Sequence, residues 1–425
     1  MIVFWKRGIR MDVQSILSAN AARLDALYAG TDQLTRYQAI ADGFRRRFSQ
    51  EPEMFVSAPG RTEVIGNHTD HNRGRVLAAA VDMDTVAAVR GRDDMRVELY
   101  SDGYARPFRV SLQTLQPVAG ERETTLSLIR GVAARMKELG YEIGGFSACV
   151  NSTVLKGSGL SSSAAFEVLL VAIFDALYGG WRVDPKLNAQ IAQYAENNFF
   201  GKPCGLMDQM ASAVGGLVTI DFGPDAPVVE AIAYDFGKKG YDVCVVSAGG
   251  EHGNLTADYA AIPGEMKAVA AAMGNEVLAG FTAEDILRAI PALKNRVPDR
   301  AILRAFHFAD ETARVGEAVD ALKNDDIKAF FAAVIASGES SWKLLQNLYV
   351  AKSDNQEMCL ALEMSRRMLA GKGAWRIHGG GFAGTILAFV PKDMTESYRA
   401  AMDGAFGDGA VKVLAIRPEG AVYMK

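Results

Sequence analysis

The segment Lys156-Gly-Ser-Gly-Leu-Ser-Ser-Ser-Ala-Ala165 constrains this chain more than any other stretch. It follows a run of strand character, Phe146–Val150. It precedes a helical pattern from about Ser161 to Tyr178, with Phe166, Leu169, Leu170, Ile173 and Leu177 on the apolar face. Gly157 and Gly159 let the backbone approach another group closely. Ser161, Ser162 and Ser163 fall at the cap or first turn. The unpaired N–H groups and positive dipole end there favour an anion. The serine hydroxyls add donors and a candidate Mg²⁺ ligand. A glycine turn with serine N-caps would look similar, but three consecutive serines exceed what a cap needs. The P-loop pattern GxxxxGK[ST] occurs nowhere in the chain.

Three further stretches carry candidate chemistry. Ala58-Pro-Gly-Arg61-Thr-Glu63-Val-Ile-Gly66-Asn67-His68-Thr69-Asp70-His71-Asn72 reads as a polar, glycine-broken segment between two strands. Its Arg, His, Asp and Asn side chains suit hydroxyls and a phosphate, although a polar surface loop has the same composition. His68, Asp70 and His71 lack helical i, i+4 metal spacing. In Ala195-Glu196 to Gly205-Leu-Met-Asp208-Gln209-Met210, Asp208 has apolar neighbours and could act as a base; a helix-start aspartate is the plainer account. His378-Gly379-Gly-Gly-Phe-Ala-Gly384 matches GxGxxG, but the strand-like Thr385–Val390 follows it rather than a helix. A backbone that must lie close to a ligand or another segment accounts for it better.

Length and pattern set the frame. The chain has 425 residues, 49% hydrophobic and 23% charged, so a large core and more than one domain are expected. Strand signals at Phe55–Ala58, Val76–Val81, Thr85–Arg90, Arg96–Tyr100, Pro107–Val110, Leu217–Phe222 and Val243–Ser247 are mixed with helical ones without βαβ alternation. Helices are expected at 37–48, 126–139, 186–199 and 205–213. The region 256–370 reads as mostly helical, and strands near 375–378, 385–390 and 411–416 close the chain. This predicts an α+β fold. Gly223-Pro224-Asp225 is a candidate hinge, dividing the chain into 1–222 and 223–425.

A net charge of −4 gives no reason to expect nucleic acid or a membrane surface as partner. No apolar run is read as long enough to cross a bilayer. Four separated cysteines (Cys149, Cys204, Cys244, Cys359) form no CxxC, so a reducing, cytoplasmic setting is expected. Met1-Ile-Val-Phe-Trp-Lys-Arg is a poor signal peptide, and Met11 is a candidate start with 1–10 as an extension. No sequence feature encodes an assembly; a monomer or weak oligomer is expected.

Together, and in this order, the four stretches resemble the GHMP kinases, and within them the galactokinase family, from roughly Phe44 to the C-terminus. Pro59-Gly-Arg61 through Gly66-Asn67-His68-Thr69-Asp70 resembles the family's sugar-binding motif, and Gly157–Ala165 its phosphate loop. Glu196 and Asp208, twelve residues apart, the latter within Pro203-Cys-Gly-Leu-Met-Asp-Gln209, match the stretch that holds a magnesium ligand and the catalytic aspartate. His252 with Tyr259 resembles the segment supplying a sugar-contacting tyrosine, and Gly379–Gly384 the third motif.

The resemblance implies a ribosomal protein S5 domain 2-like N-terminal domain, a ferredoxin-like C-terminal domain and an active site between them. It implies transfer of a phosphoryl group from ATP to the anomeric hydroxyl of galactose, with Asp208 as base and Arg61 beside it. Gly157, Ser158, Gly159, Leu160, Ser161, Ser162 and Ser163 would bind ATP. Ser162 or Ser163 with Glu196 would hold Mg²⁺. Asn67, His68, Asp70, Asp208 and Tyr259 would bind the sugar. The family usually has glutamate where Asn67 stands, asparagine where Glu63 stands and tyrosine where His71 stands, so hydroxyl preference could differ. Another monosaccharide as substrate, or a catalytically silent sugar sensor, are the competing readings. The intact Arg61, serine run and Asp208 argue against the sensor.

Overall fold

The computed structural model describes residues 12–154, 159–202, 204–249, 255–349, 354–382 and 384–425, and the structural statements below are made of these. Their strands are β1 (Met54–Ile65), β2 (Arg75–Gly91), β3 (Arg96–Ser101), β4 (Phe108–Ser111), β5 (Phe146–Ser152), β6 (Leu217–Asp221), β7 (Val228–Ala231), β8 (Tyr241–Gly249), β9 (Ala374–Ile377), β10 (Gly384–Pro391), β11 (Val411–Leu414) and β12 (Val422–Met424).

They form two sheets. The larger runs β12-β1-β2-β5-β3-β4, with β6 on the far part of β2 and β7 on β6. The smaller is a four-stranded sheet, β11-β8-β10-β9. In the smaller sheet, helices lie between β8 and β9, and Thr395–Phe406 lies between β10 and β11. That is the split βαβ, ferredoxin-like order. The larger sheet takes in β7 and β12, both from the 223–425 half of the chain.

Two differences from the sequence reading have the same physical origin. Val76–Val81 and Thr85–Arg90 are one 17-residue strand rather than two. Along it, Val76 and Ala78 face one core and Leu77 and Ala79 another, but farther on Ala87 and Val89 face the first core. The side-chain phase thus flips between, where the pairing with β1 shifts from Pro59 opposite Asp84 to Arg61 opposite Ala80. A phase flip reads as a strand end when only alternation is visible. Likewise Pro59-Gly60, expected to leave the strand, lies inside β1, because proline is tolerated at an irregularity in the ladder.

The helices Thr125–Glu138, Ser162–Phe174, Pro185–Ala195 and Met207–Val214 bury one face of the larger sheet. On the other face, the helices of residues 13–48 cover Phe55, Val86 and Ala88, and the smaller sheet's lobe covers Leu77, Ala79 and Val81. The helices Val13–Ala19 and Ala21–Leu27, and strands β7 and β12, had no sequence signal that marked them. One expectation is corrected: Ser162–Gly179 is apolar and long enough to cross a bilayer by composition. It instead forms the core helix beneath the sheet, with residues 164, 165 and 167–174 buried.

Candidate active site

The irregular point of β1 is where the site is assembled. Gly60 must lack a side chain: a Cβ there would sit 2.8 Å from the Leu160 carbonyl, and the Arg61 N–H donates to that oxygen at 3.1 Å. The serine turn therefore docks directly on β1. From the opposite side, Ser212 donates to the Pro59 carbonyl at 2.6 Å, docking the helix Met207–Val214. These two contacts bring three sequence-distant groups together. Arg61 Nε donates to Asp208 Oδ1 at 2.7 Å and its Nη1 to the Gly159 carbonyl at 2.6 Å. Ser161 Oγ donates to Asp208 Oδ2.

Burial alone would raise the Asp208 carboxyl. The charge and hydrogen bond of Arg61, then the hydroxyl of Ser161, outweigh that and hold it below the ordinary aspartate value. Arg61 is buried, whereas the Asp208 side chain keeps 33% of its exposure. An ionised carboxylate with an open side is what a proton acceptor needs.

Ser161 caps the helix Ser162–Phe174 in the left-handed region, φ 57°, but its side chain makes no capping bond. Its hydroxyl serves Asp208, so the first-turn N–H groups remain available to an anion. Ser162 is half-buried and Ser163 exposed at that end. Lys156, Gly157 and Ser158, expected in the phosphate turn, lie outside the described residues, as does His252.

The expected metal carboxylate, Glu196, ends the helix Pro185–Ala195 and opens a π-helical turn to Phe200. It is 4% exposed, with Lys202 Nζ 4.0 Å from Oε1. Gln209 Nε2 donates both to Glu196 Oε2 (2.9 Å) and to Glu167 Oε2 (3.0 Å). Burial raises the carboxyls of Glu196 and Glu167 above the ordinary range; a second charge adds to this at Glu167, that of Glu196. Glu167 was missed in the sequence. The signal was available: it is the only charged residue of the helix Ser162–Phe174 and lies four residues after Ser163.

The polar motif after β1 is clamped from the other lobe. Asn67 is fully buried. Its Nδ2 donates to Glu63 (2.9 Å) and to the Gly379 carbonyl (2.7 Å), and its Oδ1 accepts from Asn347 (2.9 Å) and Ser341 (3.3 Å). Both donors and both lone pairs are thus used. Glu311, on the helix Asp299–Lys323, accepts from the Gly66 and Asn67 N–H groups at 2.9 and 3.2 Å. Glu63 pairs with the buried Arg376 at 2.9 Å.

His68 takes a left-handed φ of 57°, bonds the Gly380 carbonyl through Nε2 at 3.0 Å and stacks on His71. Burial, then the neighbouring His71, lower it to about 4. Asp70 lies against Gly205, where a Cβ would stand 1.7 Å from Oδ2. Tyr259 donates to the Gly381 carbonyl at 2.6 Å and crosses Gly380, where a Cβ would stand 2.6 Å from its ring. The glycine run 379–381 therefore serves close backbone approach: its three carbonyls hold Asn67, His68 and Tyr259. Among the described residues, no group of three or more His, Cys, Asp or Glu side chains forms a ready-made metal site.

Residues 42–91 match the galactokinase galactose-binding signature, and 127–216 the GHMP kinases N terminal domain. The chain is 30% identical over 383 residues to the galactokinase of Streptomyces coelicolor, covering 88% of this chain and 94% of that one. In structure it is similar to Lactococcus lactis galactokinase complexed with galactose, with TM-score 0.80 and 23% identity over 91% of this chain and 99% of that one. It also resembles Methanococcus jannaschii mevalonate kinase, with TM-score 0.58 and 14% identity over 88% and 98%. The expected two-domain GHMP kinase fold is thereby found.

Proposed function

The chain belongs to the galactokinase family of GHMP kinases, and on that premise we propose that it phosphorylates galactose at the anomeric hydroxyl, with ATP as donor. One observation carries the residue roles: Arg61 and Ser161, from β1 and from the serine turn, both grip the half-open carboxylate of Asp208. Asp208 accepts the proton of the anomeric hydroxyl as its oxygen bonds to the γ-phosphorus and the bond to the bridging oxygen of ADP breaks. Arg61 keeps Asp208 ionised and offsets charge on the transferring group. The turn from Gly157 to Ser163 and the helix end behind it hold the phosphates.

The donor set fits magnesium. Glu196 supplies a buried carboxylate, Ser162 and Ser163 supply hydroxyls, and Glu167 Oε1 nearby is a buried acceptor with no partner. Ser162 or Ser163 with Glu196 would hold the ion, which when bound neutralises charge on the phosphate oxygens. His68, Asp70 and Tyr259 form the sugar side. Asn67, with its bonding capacity spent, acts there by holding the loop in place. The four cysteines are unpaired, which fits a reducing, cytoplasmic setting.

A coupled ADP-release assay across galactose and other free sugars tests this reading. Galactose-dependent release that is lost in Asp208→Ala is expected. Preference for another hexose would overturn the substrate and leave the kinase. Binding of sugar and ATP with no ADP release would overturn catalysis altogether.

A further inference from the structure

Glu167 is assigned neither as a magnesium ligand nor as a reacting group above, yet it interrupts the otherwise apolar run of residues 164–174. A carboxylate kept at 0% exposure for structural reasons alone should have donors on both oxygens. Among the described residues Glu167 does not: Oε2 accepts from Gln209, and Oε1 has no partner there. Gln209 Oε1 is also buried and, among the described residues, unpartnered. Two acceptors without donors are costly in a core. They suit a place where a hydrated cation presents water hydrogens, and magnesium characteristically keeps several of its waters.

The placement is specific. Glu167 follows Ser163 by four residues, so both lie on one face of the helix. Gln209 follows Asp208 directly, and its amide nitrogen has two hydrogens, one given to Glu167 and one to Glu196. A single amide therefore fixes the Glu196 carboxylate relative to the serine-bearing helix and to the base.

We propose that Glu167 is a positioning residue for magnesium, orienting the Glu196 carboxylate through the Gln209 amide. The inference rests on the reading that Glu196 holds the metal. Binding of a non-hydrolysable ATP analogue to the full-length protein is followed by calorimetry, in EDTA and over a Mg²⁺ titration. In Glu167→Leu the Mg²⁺ needed for half-saturation rises roughly 10- to 100-fold, as for other supports of a metal ligand, while binding in EDTA is unchanged. Glu167→Gln keeps an acceptor for Gln209 and recovers most of the loss. A folded Glu167→Leu protein with a wild-type Mg²⁺ requirement overturns the proposal. So does a Glu167→Gln protein as impaired as Glu167→Leu, because the bridge would then not be what matters. If Glu167→Leu fails to fold, Gln209→Ala cuts the same bridge and is read by the same two outcomes for the Mg²⁺ requirement. Glu196→Gln separates the two levels. An unchanged requirement there removes the metal assignment itself. A raised one beside an unchanged Glu167→Leu removes only the positioning role.

Discussion

Asp84 and Asp208 are both gripped by arginine and serine in the same lobe, and they differ in what their oxygens have left. Asp84 is fully buried at the point where β2 changes phase. Arg36 donates to Oδ1 at 2.7 Å; Arg417 at 2.9 Å, Tyr28 and Ser57 all donate to Oδ2. These donors tie the N-terminal helices, β1 and the segment before β12 to one carboxylate. Asp208 has one arginine, one serine and an open side. Both carboxyls are held below the ordinary value against burial that would raise them. Ionisation is common to the two; spare acceptor capacity and access to the cleft are not. A low pKa by itself therefore does not distinguish a candidate base from a structural carboxylate.

The comparison can be broken by exchanging the phenotypes. Asp208→Ala should lower kcat by 10²–10⁴-fold, the order of magnitude typical for losing a positioned base, with little change in melting temperature. Asp84→Ala should do the reverse. It leaves Arg36 and Arg417 without their shared counter-charge, a change that typically costs about 3–5 kcal/mol in stability, while the folded fraction retains its kcat. Denaturant melts and steady-state kinetics on both variants check this. A stable, slow Asp84→Ala with an unstable, active Asp208→Ala would invert the argument.

Smaller effects sharpen it. Gly205→Ala places a Cβ against Asp70, and a displacement near 1 Å can cost on the order of 10²-fold in kcat/KM; the loss should appear with the sugar varied rather than with ATP. Arg61→Leu removes the strongest of the groups that oppose burial at Asp208, so the acid limb of the pH–rate profile moves to higher pH in this slower variant.

Weakest is the stability effect of His68. Its folded value of about 4 lies below the ordinary 6.5, so between those pH values the unfolded chain binds the extra proton. Its contribution is complete above pH 6.5 and is lost as pH falls toward 4. The melting temperature of the wild type should therefore fall more between pH 7 and 5 than that of His68→Asn. Equal falls would show that His68 does not titrate this way.

The serine run was legible because its residue types state a local need: glycine where a turn approaches another chain segment and serine at a helix start. Arg61, Glu196 and Asp208 stood out only through the resemblance of their stretches to the galactokinase family, since a surface loop and a helix-start acid explained their residue types equally well. Residue partners were not legible. The saturation of Asn67 depends on Gly379, 312 residues away, and on Asn347. The open acceptors of Glu167 depend on Gln209. The continuity of β1 through Pro59-Gly60 depends on an irregular pairing with β2.

By itself the sequence determined that the chain carries a candidate anion-binding turn, a candidate base and an α+β succession of strands and helices, since these follow from backbone freedom, hydrogen-bonding capacity and side-chain period within a few residues. Only the tertiary structure decided which carboxylate is sealed and which is open. Burial and the number of donors on an oxygen are properties of segments packed together, and no single segment contains them.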